Sequence, residues 1–233
     1  MSQTCAANPS PTVDVVAHRQ TRYVPPEGAT EFVLVRHGAS EAFVPGRPFP
    51  LVDGHGDPAL AEPDGLEQAE RVGRRLAQER VDAVYVTTLR RTAQTIAPYL
   101  RVAGGAATVE PDLREIFLGD WEGGLLRQHA SEGHPAYLRM LEDDDWGHIP
   151  GAESSDALEA RCAGALQRLH AQHPNQRVVC VVHGGVIAAL ASRATGARQR
   201  RFGGSDNGSM HTIVVLGDDW QLRRFNDTTH LDD

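Results

Sequence analysis

The sequence predicts an α/β fold, a three-layer α/β/α sandwich with a mostly parallel sheet and a small insertion over the carboxyl ends of the strands. Three observations carry that expectation. Phe32-Val33-Leu34-Val35 and Val178-Val179-Cys180-Val181-Val182 are unbroken apolar runs, as strands buried on both faces require. Each run stops abruptly at a polar cluster, Arg36-His37-Gly38 in one case and His183-Gly184-Gly185 in the other. Between and after these runs lie segments of helical period, the alternation that produces parallel sheets. In such sheets the carboxyl ends of the strands are where ligands bind.

Composition narrows the chemistry. The 233 residues carry a net charge of −8, which argues against nonspecific nucleic-acid binding. No apolar run approaches the roughly 18 to 20 residues that span a membrane. Met1 to Cys5 shows no basic segment ahead of an apolar stretch, so a cytoplasmic location is expected. Three scattered cysteines (Cys5, Cys162 and Cys180) make no disulfide framework and lack zinc-ligand spacing. All 23 basic residues are arginine, so a P-loop lysine and Schiff-base chemistry are both ruled out.

Taken in order, residues 1–29 read as an N-terminal arm and residues 30–233 as one domain. Prolines at 9, 11, 25 and 26 interrupt any sustained period in the arm, apart from an extended piece over Val13 to Val16. Residues 43–64 are rich in proline and glycine and read as a long structureless loop. His55 in that loop reads as solvated, with substrate contact as the alternative. Leu66, Ala69, Val72 and Leu76 recur at helical spacing and predict a helix over 65–80.

Val81 to Val86 is a second strand, leading into a helix towards Leu100 with Thr87 or Thr88 as N-cap. A helix N-terminus beside an arginine suits an anion. A third strand fits 107–109. Residues 124–151 form the insertion, whose acidic run Glu142 to Asp145 suits a solvated face. Leu158, Cys162, Ala165, Leu166 and Leu169 predict a helix over 155–173; His170 and His173 share one of its faces but lack a third metal ligand. A strand at 177–182 delivers His183 into an apolar helix over 186–194, and strands at 211–216 and 220–225 end the chain.

Arg36, His37, Arg91, Glu115 and His183 therefore come from three strand ends and one loop. Two arginines suit an anion with several oxygens, because the guanidinium fork matches phosphate and stays charged. Two histidines provide a nucleophile and a partner, and a glutamate provides a proton donor. Such a set transfers a phosphoryl group by positioning and charge neutralisation, without a metal or other cofactor.

These segments resemble the histidine phosphatase superfamily, which includes the cofactor-dependent phosphoglycerate mutases. Arg36-His37-Gly38-x-Ser40 resembles its opening signature, and Leu89-Arg90-Arg91-Thr92-Ala93-Gln94-Thr95 its phosphate-binding segment, with Arg91 the phosphate ligand. Leu113-Arg114-Glu115 with Gly119-Asp120-Trp121-Glu122-Gly123 is similar to the proton-donor segment, and Val182-His183-Gly184-Gly185 to the second-histidine motif. The resemblance spans residues 31 to about 227. It implies catalysis by His37, Glu115, His183, Arg36 and Arg91, and substrate binding by Arg36, Ser40, Arg91, His183 and Gly184.

Two departures fall in the substrate-facing loop. Phe43 stands where the family usually has asparagine, and Asp57-Pro58-Ala59-Leu60-Ala61 lacks the usual threonine. The insertion also shows no arginine pair of the kind mutases use for phosphoglycerate, Arg127 and Arg139 being isolated. The expected enzyme is accordingly a phosphomonoester hydrolase acting on a small phosphorylated metabolite, with a mutase or a catalytically silent phospho-ligand binder as alternatives. A homodimer stays open as its assembly.

Overall fold

The computed structural model describes Ala17 and residues 19–232; the extended piece expected over Val13 to Val16, and Cys5, lie outside them. Among the described residues a six-stranded sheet has the order β5-β4-β6-β1-β7-β8. β1 (Thr30–Arg36), β4 (Ala83–Val86), β5 (Thr108–Val109) and β6 (Arg177–Val182) run parallel. β7 (Met210–Leu216) and β8 (Asp219–Asp227) are antiparallel, as two strands joined by a tight turn must be. A small hairpin of β2 (Leu51–Val52) and β3 (His55–Gly56) interrupts the loop expected to be structureless.

The central strands are apolar at every position because both sheet faces are covered. Val33, Val35, Val179 and Val181 face Val72 and Leu76 of α1 (Asp64–Leu76) and Ile96 and Tyr99 of α2 (Arg90–Ala103). A Cβ on Gly73 would lie 2.9 Å from Pro98, so its absence is what lets α1 and α2 approach. Phe32, Leu34, Val178 and Cys180 face the other layer, made of α5 (Ser155–Gln172) and α6 (Gly184–Thr195). Burial raises the Cys162 thiol to about 12, so it packs as a neutral apolar side chain.

The insertion holds α3 (Leu125–Glu132) and α4 (Pro135–Asp143), which the sequence pattern left undefined. Its acidic run is only partly solvated. Asp145 Oδ1 accepts from the backbone N–H groups of Gly147 and Ser155, and Asp144 accepts from Arg200 N and pairs with Arg198. These carboxylates tie the insertion to the body of the fold. His170 and His173 are likewise structural: Thr30 Oγ1 meets His170 Nδ1 at 2.8 Å, and Tyr85 Oη meets His173 Nε2 at 2.8 Å. Among the described residues no cluster of three or more metal-ligating side chains occurs, and no helix is long and apolar enough to cross a membrane.

One buried histidine makes stability depend on pH. His211 on β7 accepts from Asn226 N at Nδ1 and shares a hydrogen bond with Ser209 Oγ at Nε2. Burial, and then Arg36, lower its pKa from 6.5 to about 4. The unfolded chain therefore binds this proton first. The stabilisation is fully present above about pH 6.5 and is lost as pH falls towards 4, about 3 kcal/mol in all at about 1.4 kcal/mol per unit. Denaturant titrations across that window should show the decline, and His211→Gln should flatten it by about that amount. An unchanged slope in the variant would refute this role.

Candidate active site

The site grows from the carboxyl end of β1. The strand stops at Arg36, and His37 follows with its backbone N–H on Val182 O of the neighbouring β6. A Cβ on Gly38 would lie 2.6 Å from the carbonyl oxygen of Gly65. The glycine therefore lets the start of α1 close against this turn. Side chains from α1 and α2 hold the backbone of this turn at two points and that of Leu60, which bridges to Ser40, at a third. Gln68 accepts from Ala39 N at 2.7 Å, Thr95 accepts from Gly38 N at 3.0 Å, and Gln94 accepts from Leu60 N at 3.0 Å.

His37 is oriented from both sides of its ring. Nδ1 lies 2.7 Å from Gly38 O, which fixes the proton on that nitrogen. Nε2 keeps its lone pair and accepts from Arg91 Nε at 3.2 Å. Burial, then the Arg91 charge, push the His37 pKa well below 6.5. The imidazole is neutral, with a bare nitrogen turned to the arginine.

Arg91 lies on the first turn of α2, its side chain 8% exposed, while the Arg90 side chain is 46% exposed. The site thus uses the second arginine of the pair. Asp57 explains the orientation: its Oδ1 accepts from Arg90 N at 2.9 Å and sits 3.9 Å from Arg91 Nη1. The helix N-terminus expected to hold an anion is therefore already occupied by a carboxylate. The helix begins after Leu89 with no side-chain cap of its own, so neither Thr87 nor Thr88 is the N-cap. Thr87 is instead 3.0 Å from His183 Nε2.

His183 is fully buried, its ring edge-on to His37 at 5.2 Å between centroids. Burial, Arg91 and His37 hold its pKa well below 6.5, which disfavours the protonated form. Its Nδ1 is buried without a hydrogen-bond partner among the described residues. Gly184 stands beside Arg36: a Cβ built on it would lie 3.5 Å from Arg36 Nε. Glu115 accepts from Ile116 N at 3.0 Å and Gly185 N at 3.1 Å, the second being a free N–H at the start of α6. A Cβ on Gly185 would lie 2.6 Å from Glu115 Oε1, so glycine is required for that seat.

Arg36, His37, Ser40, Arg91 and Glu115 line one cavity of about 440 Å³. Three other residues there, Arg127, Glu122 and Asn207, had no such place from sequence, and His55 had it only as the alternative to a solvated reading. Arg127, regarded as isolated, reaches in from α3, donating to Ser40 Oγ at 2.8 Å and to Glu41 O at 2.6 Å. Arg139 stays exposed on α4. His55 is buried on the wall, packed on Phe117 at 5.3 Å, not solvated. Glu122 lines the wall too and accepts from Gly56 N at 2.6 Å, fastening the β2–β3 hairpin. Asn207 donates to His37 O at 2.9 Å from the loop entering β7, where Ser205 O accepts from Arg36 Nη1. Because β7 runs antiparallel to β1, its start arrives at the edge where β1 ends.

Three guanidinium groups, Arg36, Arg91 and Arg127, thus share a cavity with Glu115. Desolvation lowers the pKa of each, the mark of cations held out of water and in want of an anion. A dianion with several oxygens fits that charge, next to a neutral imidazole nitrogen.

Comparison with known proteins agrees with the geometry. The family model of the histidine phosphatase superfamily (branch 1) matches residues 32–228. A phosphoglycerate mutase-like protein 4 of Arabidopsis thaliana is 35% identical over 208 residues, 87% of each chain. A metal-independent phosphoserine phosphatase of the same plant is 32% identical, over 87% of this chain and 83% of its own. The structure of a mycobacterial glucosyl-3-phosphoglycerate phosphatase superposes with a TM-score of 0.71 at 28% identity, over 86% of this chain and all of that one. With the family model spanning residues 32–228 and the arginine-lined cavity at the sheet edge, the chain belongs to the histidine phosphatase superfamily and is a phosphomonoester hydrolase.

Proposed function

We propose that hydrolysis proceeds by two displacements through a phosphohistidine on His37. The observation that carries this is the ring geometry: Nδ1 is tied to Gly38 O while Nε2 stays unprotonated beside Arg91. Nε2 attacks phosphorus as the ester oxygen departs. Arg36, Arg91 and Arg127 bind the phosphoryl oxygens and balance their charge as it redistributes. With the Thr87 hydroxyl donating to Nε2, His183 carries its proton on the unpartnered Nδ1 and offers it to one of those oxygens. Glu115 gives its proton to the leaving oxygen, then takes one from the water that attacks the phosphohistidine. The product is inorganic phosphate and the enzyme returns to its starting state.

Hydrolysis is favoured over a mutase reaction because a single insertion arginine, Arg127, enters the cavity, while Arg139 is exposed. The substrate is a small phosphorylated metabolite. Turnover of alkyl and aryl phosphates in excess chelator tests this, read as released phosphate. Full activity is expected, and loss of activity on chelation would overturn the mechanism. In the same assay Arg91→Lys should cost about 3 kcal/mol, roughly a hundredfold in rate, because a point charge replaces a fork. Arg90→Ala should cost little, and the reverse ranking would refute the assignment of Arg91.

A further inference from the structure

A second cavity of about 560 Å³ adjoins the first, and Arg36, Glu115, Leu126 and Arg127 border both. Its walls come from the insertion and α6: Tyr137, Met140, Leu141, Trp146 and Ala188. Of its other polar residues, Asp144 accepts from Arg200 N and pairs with Arg198, Gln199 Nε2 donates to Ser155 O, and the Arg200 side chain lies exposed at the rim. Gln199 Oε1 is buried without a partner among the described residues and adds one acceptor to a wall made mostly of apolar side chains.

Glu115 stands at the boundary between the two spaces. In the proposed mechanism the phosphoryl group sits on the His37 side, and the oxygen that receives the Glu115 proton lies at that boundary. The organic part of the ester then extends away from His37, and the second cavity is the space that opens beyond Glu115 on that side. The boundary arginines Arg36 and Arg127 are taken by the phosphoryl group, so a carboxylate, as on a phosphoglycerate, would find a cation only in Arg200 at the exposed rim and otherwise meet aromatic and aliphatic side chains. An apolar body would be desolvated along that wall. The volume falls in the range that encloses ring-sized organic ligands.

We infer that this second cavity is the leaving-group chamber, and that the enzyme prefers phosphomonoesters of alcohols carrying a bulky, ring-sized apolar body. This rests on the hydrolase reading for the direction in which the ester points. The separation of the two spaces is independent of it.

Binding of phosphonates separates the two. Their carbon–phosphorus bond survives the enzyme, so affinity is read without turnover. Naphthylethylphosphonate should bind about 10²-fold more tightly than ethylphosphonate, the scale on which an apolar pocket rewards added bulk. Tyr137→Ala removes one wall and Leu141→Asp places a charge on another. Tyr137 is half-buried and Leu141 is 39% exposed, so both changes should be tolerated by the fold, which a melting curve verifies. Each should shrink that preference by about tenfold. Equal affinity of the two phosphonates, or an undiminished preference in both variants, would overturn the chamber. A strong preference with no hydrolysis of the matching phosphate esters would uphold the chamber and overturn the hydrolase reading.

Discussion

His37→Ala lowers turnover of every phosphate ester by about 10⁶-fold, the scale seen when a covalent nucleophile is removed. No other group in the cavity can replace it. Glu115 is a carboxylate bonded to two backbone N–H groups, and Ser40 Oγ accepts from Arg127. His183 has no bare nitrogen to attack with, its Nε2 taken up by Thr87 and its Nδ1 carrying the proton. The fold should survive, because the core clusters on both sheet faces do not include His37. Initial rates on an alkyl and an aryl ester, with circular dichroism for folding, check the result. A folded variant that keeps more than about 1% of the rate would place the nucleophile elsewhere.

Glu115→Gln separates catalysis from anion binding. An alkyl phosphate leaves as a basic alkoxide and needs a proton, whereas a nitrophenyl phosphate leaves as a weakly basic anion and hardly does. The substitution should therefore cut kcat/KM, which reads the first displacement, by about 10²- to 10⁴-fold for the alkyl ester, the range of general acid catalysis, and far less for the nitrophenyl ester. Vanadate affinity should persist, since Arg36, Arg91 and Arg127 remain. If Glu115 only balanced those arginines, both esters would suffer equally and anion affinity would change as well. Equal losses would transfer the acid role to another carboxylate, and Asp57, bound to Arg90 N beside Arg91, would be examined first.

Much of this site was legible because it follows directly from strands. Val-rich runs that end in Arg36-His37 and His183 announce both the sheet and the edge where ligands bind. The Leu89 to Thr95 segment showed its arginine for the same reason, although the capping role went to Asp57, a residue 33 positions from Arg90. What stayed hidden depends on contacts made across the fold. Arg127 reads as an isolated arginine in a loosely patterned insertion until α3 lies over the edge of β1 and brings it to Ser40. His55 sits in a glycine-rich stretch with no period, and only the β2–β3 hairpin, held by Glu122, turns it inward. Asn207 enters because β7 runs against β1, a direction that apolar alternation does not encode.

Gln68, Gln94 and Thr95 show a further limit. Their side chains serve the backbone of the turn after β1 and of Leu60 bridged to it, so a motif can be recognised while its physical purpose stays out of view.

The most direct test is to trap the phosphoenzyme. Wild-type protein is mixed with a phosphate ester, quenched after one turnover in alkaline denaturant, and the phosphorylated peptide is sequenced by mass spectrometry. The mechanism predicts a base-stable, acid-labile phosphoryl group on His37 that is absent from His37→Ala and accumulates in Glu115→Gln with the nitrophenyl ester. A phosphoryl group on His183 or on a serine would contradict it, as would turnover with no phosphoenzyme and inversion at phosphorus.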